Sequence, residues 1–200
     1  MRLLPLKFRI DGPARNHALV IDVVAAYSTR ICEFCGLPAG QHAMPIGKTM
    51  ACVLCGLVQT LQRSTIDEEL RLIWFPEMSQ AALNVLVRQI HIELQELEEP
   101  VHCDATPGSP EGMRPALYNA QRILRERSES VAERLGSARA SDLGDALAIL
   151  AGRNAAISDL PLGGLRALPT GRFYVAGVNV YDEIVGHWRG VGKTFIQEVA

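Results

Sequence analysis

The chain has no excess of charge of one sign. Its 20 Lys and Arg stand against 22 Asp and Glu, a formal net charge of −2 with pI near 6.2. That balance excludes a global electrostatic pull toward nucleic acid or an anionic membrane. Long apolar runs are missing as well. The longest, such as "ALVIDVVAAY" at 18–27, fall well short of the roughly 20 residues a spanning helix needs. The opening "MRLLPLKFRIDG" is basic, but Pro5, Lys7, Arg9 and Asp11 interrupt it, so no secretory signal is expected. No Ser/His/Asp nucleophile elbow or paired-carboxylate motif is recognisable, so no catalytic residue is expected. "GKT" occurs at 47–49 and 192–194, yet His42 and His187 stand where a P-loop requires glycine. Internal repeats are absent, apart from a duplicated C-x-x-C-G-L.

That duplication is the most informative feature present. Cys32, Cys35, Cys52 and Cys55 form C-x2-C-x16-C-x2-C, the spacing of a four-sulfur zinc site, and leave only Cys103 outside it. Two cysteines flanking a tight turn direct both sulfurs inward, and Gly36 and Gly56 follow each pair where backbone crowding would be relieved. Four thiolates satisfy tetrahedral zinc completely and leave no position for water or substrate. One structural Zn²⁺ per chain is therefore expected. Binding it to four thiolates moves the formal charge from −2 to about −4, which disfavours nucleic acid further. Arg30, Lys48 and Arg63 lie near enough in sequence to offset that surplus. Paired CxxC motifs of this kind belong to a reducing, cytoplasmic setting.

Two hundred residues with 48% hydrophobic content suit one compact unit. The expected fold class is α+β: a zinc-stapled treble-clef (HNH-like) module with short strands, then a mostly helical C-terminal half. Residues 1–77 would hold strands and the zinc module, and 78–200 the helical part packed on it. "LLPLKFRI" and "ALVIDVVAAY" read as strands. Leu54, Leu57, Val58 and Leu61 have helical spacing, so the second cysteine pair opens a short helix ending before Asp67, its N-terminal dipole favouring thiolates. "LRLIWFPE" (70–77) is a strand ended by Pro76. Ser79 then caps a helix running to about Glu99, with Leu83, Leu86, Val87, Ile90, Leu94 and Leu97 on one face.

Residues 100–115 read as a loop carrying an exposed Cys103. One helix is expected from Pro115 to Gly136, striped by Ala116, Leu117, Ala120, Ile123, Leu124, Val131 and Leu135, and another over 141–152, capped by Ser141. "LPLGGLRALPTG" reads as a second loop, and 172–182 is open between strand and helix. His42 is expected on the surface and His91 at the border of an apolar face.

"LRLIWFPEMSQAALNVLVRQIH" (70–91), "GLRALPTGRF" and "YDEIVGHW" (within 164–188), together with the paired cysteines, resemble the IcmJ/DotN family of type IVB secretion proteins. The 70–91 block is the most specific part of that likeness. The resemblance implies a cytoplasmic zinc protein with a fold similar to treble-clef HNH nucleases. It further implies a non-enzymatic adaptor that binds the C-terminal region of a coupling-protein ATPase. Effector secretion and plasmid conjugation both use such a machine, and membrane association would come only through the partner. Trp74 and Phe75 are adjacent on a strand and point to opposite faces, so one of them is a candidate partner-binding residue. The alternative function is an HNH-type endonuclease or a nucleic-acid-binding zinc module, with His42 as the one histidine placed to act as a base.

Overall fold

The computed structural model describes residues 3–8, 30–102, 114–152 and 162–199. The expected strand at 18–27, Cys103 and most of the 100–115 loop lie outside these. Residues 3–8 form no strand, which corrects the first expectation. Leu4 N–H donates to Glu33 O at 2.9 Å. These six residues hold no β-branched side chain, and Pro5 cannot donate to a ladder.

The cysteine region folds as expected in outline. A turn carrying Cys32 and Cys35 is closed at its base by an antiparallel bridge between Ile31 and Pro38. Next comes a hairpin of β1 (Met44–Ile46) and β2 (Thr49–Ala51), with Met44 opposite Ala51. Gly47 and Lys48 of the first "GKT" are its turn, and Gly47 has φ of +59°, which glycine adopts freely. Helix α1 (Val53–Gln59) follows directly, with Cys52 as its extended N-cap.

α2 (Ile66–Glu69) leads into β3 (Leu70–Trp74), which pairs antiparallel with β4 (Leu165–Pro169) from Leu70↔Pro169 to Trp74↔Leu165. β4 corrects the loop reading of "LPLGGLRALPTG". Its Leu, Ala and Pro carry weak strand propensity, and pairing with a strand about a hundred residues away supplies what the local sequence does not. The far edge of β3 is also occupied: Leu72 N–H donates to Ala138 O (3.0 Å) and Trp74 N–H to Arg127 O (3.1 Å).

That last bond helps explain a second correction. The single helix expected over 115–136 is two, α4 (Arg114–Glu126) and α5 (Glu129–Leu135), broken where the Arg127 carbonyl turns to β3. Ile123, on the expected stripe, is 45% exposed, whereas Gly136 does stop α5, at φ +79°. In α6 (Ala140–Gly152) Ser141 is helical and not the cap. The Asp67 carboxylate of α2 instead accepts from Ser141 N–H (2.9 Å) and Oγ–H (2.6 Å), doing the capping from another element.

α3 (Gln80–Glu96) begins as read, the Ser79 hydroxyl accepting from Ala82 N–H at 3.2 Å. Leu83, Val87, Ile90 and Leu94 are buried, but Leu86 is 38% exposed and leaves the stripe. Residues 172–182 resolve into β5 (Tyr174–Val175) and β6 (Val178–Asn179), joined through Ala176 (φ +49°) and Gly177 (φ +81°), then α7 (Tyr181–Val199). The backbone of 192–194, the second "GKT", continues α7, so it forms no phosphate loop. Among the described residues the protein is thus mixed α/β, with three small antiparallel sheets and a helical half. One buried cluster runs from Cys32 through Leu57, Leu72 and Leu94 to Trp188. No helix among the described residues is long and apolar enough to cross a membrane.

Candidate metal centre

Two local structures bring the four sulfurs together. Gly36 N–H donates to Cys32 O (2.9 Å) and Cys32 N–H to Leu37 O (2.8 Å), turning the first pair inward. Gly36 has φ of +75°, as its place after the pair requires. Cys52 and Cys55 sit at the N-cap and in the first turn of α1. Gly56 has a different task from the one expected. It is helical, and a Cβ there would lie 2.8 Å from Met44 Cβ, so its lack of a side chain lets α1 pack on the hairpin.

All four Sγ atoms lie within 4.8 Å of one another, and Cys35 and Cys52 are 3.8 Å apart. A tetrahedron with metal–sulfur bonds of ~2.3 Å has edges of ~3.8 Å, whereas a disulfide would need about 2.05 Å. Cys32, Cys52 and Cys55 are buried and Cys35 is partly so. Without a cation these groups conflict. Hydrogen bonding from Cys35, then Cys52 and Cys55, holds Cys32 low, while hydrogen bonding with Cys32 and burial push Cys52 and Cys55 up. A divalent cation removes the conflict by taking all four as thiolates. The donor set therefore fits a structural metal ion, held by Cys32, Cys35, Cys52 and Cys55.

The surroundings of the centre come from α3. Asn84, fully buried, donates its side-chain Nδ2–H to Cys55 Sγ at 3.4 Å. Arg88, also buried, donates to Pro38 O at 2.9 Å in the loop of the first pair, its guanidinium lying 4.5 Å from the Trp188 ring centre. Burial lowers the Arg88 pKa, and Cys52 and Cys35 work against that fall. Arg88 thus replaces Arg63 in the expected role of local cation, since Arg63 is bound to Glu69. A polar residue at each of positions 80, 84, 88 and 91 of a helix was the available signal. It is easily passed over beside the apolar stripe.

No protein-family model matches the chain, and no curated protein does.

The histidines depart most from their expected places. His42 is 8% exposed rather than on the surface, with backbone φ of +23°. Its ring lies 6.3 Å from that of Phe173, burial lowers its pKa, and Glu183 and His187 of α7 act on it electrostatically. His91 is 1% exposed, not at a border, and its Nδ1 meets the Tyr181 hydroxyl at 2.8 Å. Trp74 and Phe75 are both half-buried, with Arg134 over the first (4.5 Å) and Arg127 over the second (4.3 Å).

Proposed function

We propose that this chain is a non-enzymatic, zinc-stapled adaptor resembling the IcmJ/DotN family. In this reading the turn, hairpin and helix around Cys32, Cys35, Cys52 and Cys55 are a treble clef holding one structural Zn²⁺. The adaptor docks on the C-terminal region of the coupling-protein ATPase of a type IVB secretion or conjugative transfer system. It lies in the cytoplasm and reaches the inner membrane only through that complex, where it helps recruit substrates.

The observation that carries the reading is the saturated sulfur set. Four sulfurs within 4.8 Å leave zinc no open position, so the metal supplies folding energy and no Lewis-acid chemistry. The partner rests on the likeness of 70–91, whose strand, Pro76 turn and Ser79-capped helix are those of β3 and α3. Affinity purification of the tagged chain from its native host, with identification of co-eluting proteins, tests this. Recovery of a coupling ATPase is expected, and its absence from a host that encodes one defeats the assignment.

The competing nuclease reading draws on the same scaffold and on His42, placed just before β1. Burial of His42, with Phe173 as its ring neighbour, speaks against its reaching a phosphodiester. Plasmid incubated with the protein and Mg²⁺, Mn²⁺ or Zn²⁺ is expected to stay intact. Cutting that vanishes in His42→Ala would promote the nuclease over the adaptor.

A further inference from the structure

The direction of the Asn84 amide is dictated by a strand packed beside the start of α3. β4 pairs with β3 along one edge, which leaves Ala167 N–H and C=O on the other. The Gln80 side chain meets both: Ala167 N–H donates to Oε1 at 2.8 Å and Nε2–H donates to Ala167 O at 2.8 Å. A backbone N–H can only donate and a carbonyl only accept, so this pairing leaves the Gln80 amide one orientation. Its Nε2 also donates to Asn84 Oδ1 at 2.9 Å. Asn84 must therefore turn its Nδ2–H group toward Cys55, which receives it at 3.4 Å. Cys55 Sγ is therefore the acceptor, a role a thiolate fills more strongly than a thiol.

One helical turn further along α3, Arg88 holds Pro38 O in the other half of the centre. α3 thus grips both halves of the sulfur cluster through residues four apart, which share one face. Gln80, Asn84 and Arg88 are all buried. Each would desolvate a polar group at a cost were its partner lost.

We propose that Gln80, Asn84 and Arg88 form a relay that tunes the four-sulfur centre and ties metal retention to the β3–β4 pairing. The inference rests on the reading that the four cysteines hold a metal. An N–H donated to a metal-bound thiolate stabilises its charge and fixes its orientation toward the ion. Arg88 offsets the net negative charge that four thiolates leave around a divalent ion. These three are positioning residues and bind no metal themselves.

The experiment uses the full chain loaded with Zn²⁺, Co²⁺ or ¹¹³Cd²⁺. Wild type should give the visible spectrum of tetrahedral four-thiolate cobalt. In the ¹¹³Cd form, the Asn84 side-chain amide should show scalar coupling to cadmium through the N–H···S bond. Asn84→Leu keeps the size and removes the donor. It should keep the cobalt spectrum but lose about 10- to 100-fold in affinity by chelator competition, the usual effect of removing an outer partner. Gln80→Met, which touches no sulfur, should weaken retention in the same direction by less. Arg88→Met should release zinc faster, with Arg88→Lys restoring part of the loss. Folded variants with affinity and release within about twofold of wild type, or no amide–cadmium coupling in wild type, would overturn the relay while the metal reading stands. Failure of wild type to bind any of the three ions would remove both.

Discussion

The Arg63 guanidinium holds the fully buried carboxylate of Glu69 through Nε at 2.8 Å and Nη2 at 2.7 Å. Glu69 Oε1 also accepts from Tyr174 N–H at 2.9 Å, and Arg63 Nη2 donates to Tyr174 O at 2.9 Å. One ion pair therefore pins the β5–β6 hairpin to the segment that follows α1, across more than a hundred residues of chain. Removing one partner of such a pair strands the other charge in a poorly solvated place.

Glu69→Gln should accordingly destabilise by about 3–5 kcal/mol. The double variant Arg63→Met with Glu69→Leu should recover part of that, because no unpaired charge remains although Tyr174 N–H and C=O lose these partners. Urea denaturation of the three proteins at one pH is the measurement. A single variant within 1 kcal/mol of wild type would show that the pair contributes little.

Metal analysis of the purified chain should return close to one equivalent of zinc. Replacing any of Cys32, Cys35, Cys52 or Cys55 by Ser should abolish stoichiometric binding and unfold the segment around α1 and the β1–β2 hairpin, since binding energy at such a site is folding energy. Hydrogen exchange on the Cys52→Ser protein would locate the loss. A metal-free wild type of undiminished stability would contradict the centre.

His91 gives the fold a pH dependence. Burial lowers its pKa to about 3. The folded state keeps it neutral, while the unfolded chain takes up a proton below its ordinary value of about 6.5. Stability is thus fully present above pH 6.5 and is lost as pH falls from there toward 3. Between pH 7.5 and 5 the loss should be about 2 kcal/mol from this group alone. His91→Gln keeps a partner for the Tyr181 hydroxyl and cannot titrate. In metal-saturated protein its stability difference between the two pH values should be smaller by that amount, and an identical pH dependence would refute the assignment.

Trp74 and Phe75 test the proposed docking surface. Each is half-buried beneath an arginine, so a disordered ATPase tail would have to displace or stack beside Arg134 or Arg127 to reach the ring. Trp74→Ala or Phe75→Ala should lose the coupling ATPase in a pull-down while zinc content is unchanged. Binding retained by both folded variants would exclude this surface. Trp74 also packs on the core cluster and against Gly164, and Phe75 on the second buried cluster around Ile73 and Leu83, so both variants need a folding control.

What could be read from the sequence was what depends on near neighbours. The spacing of the four cysteines brought their sulfurs together because two tight turns and a hairpin of a few residues settle their geometry. Ser79 began α3 and Gly136 ended α5 because a cap acts within one helical turn. Tertiary structure decided the rest. Residues 165–169 became a strand only through β3, and the 115–136 helix broke where its chain gave a carbonyl to that strand. His42 went into the interior, and Arg88 rather than Arg63 came to the loop of the first cysteine pair, because both outcomes depend on how distant elements pack. A polar residue buried on a helix has the same local pattern whether it faces water or a metal centre. Only the packing of the other elements against that face tells the two apart.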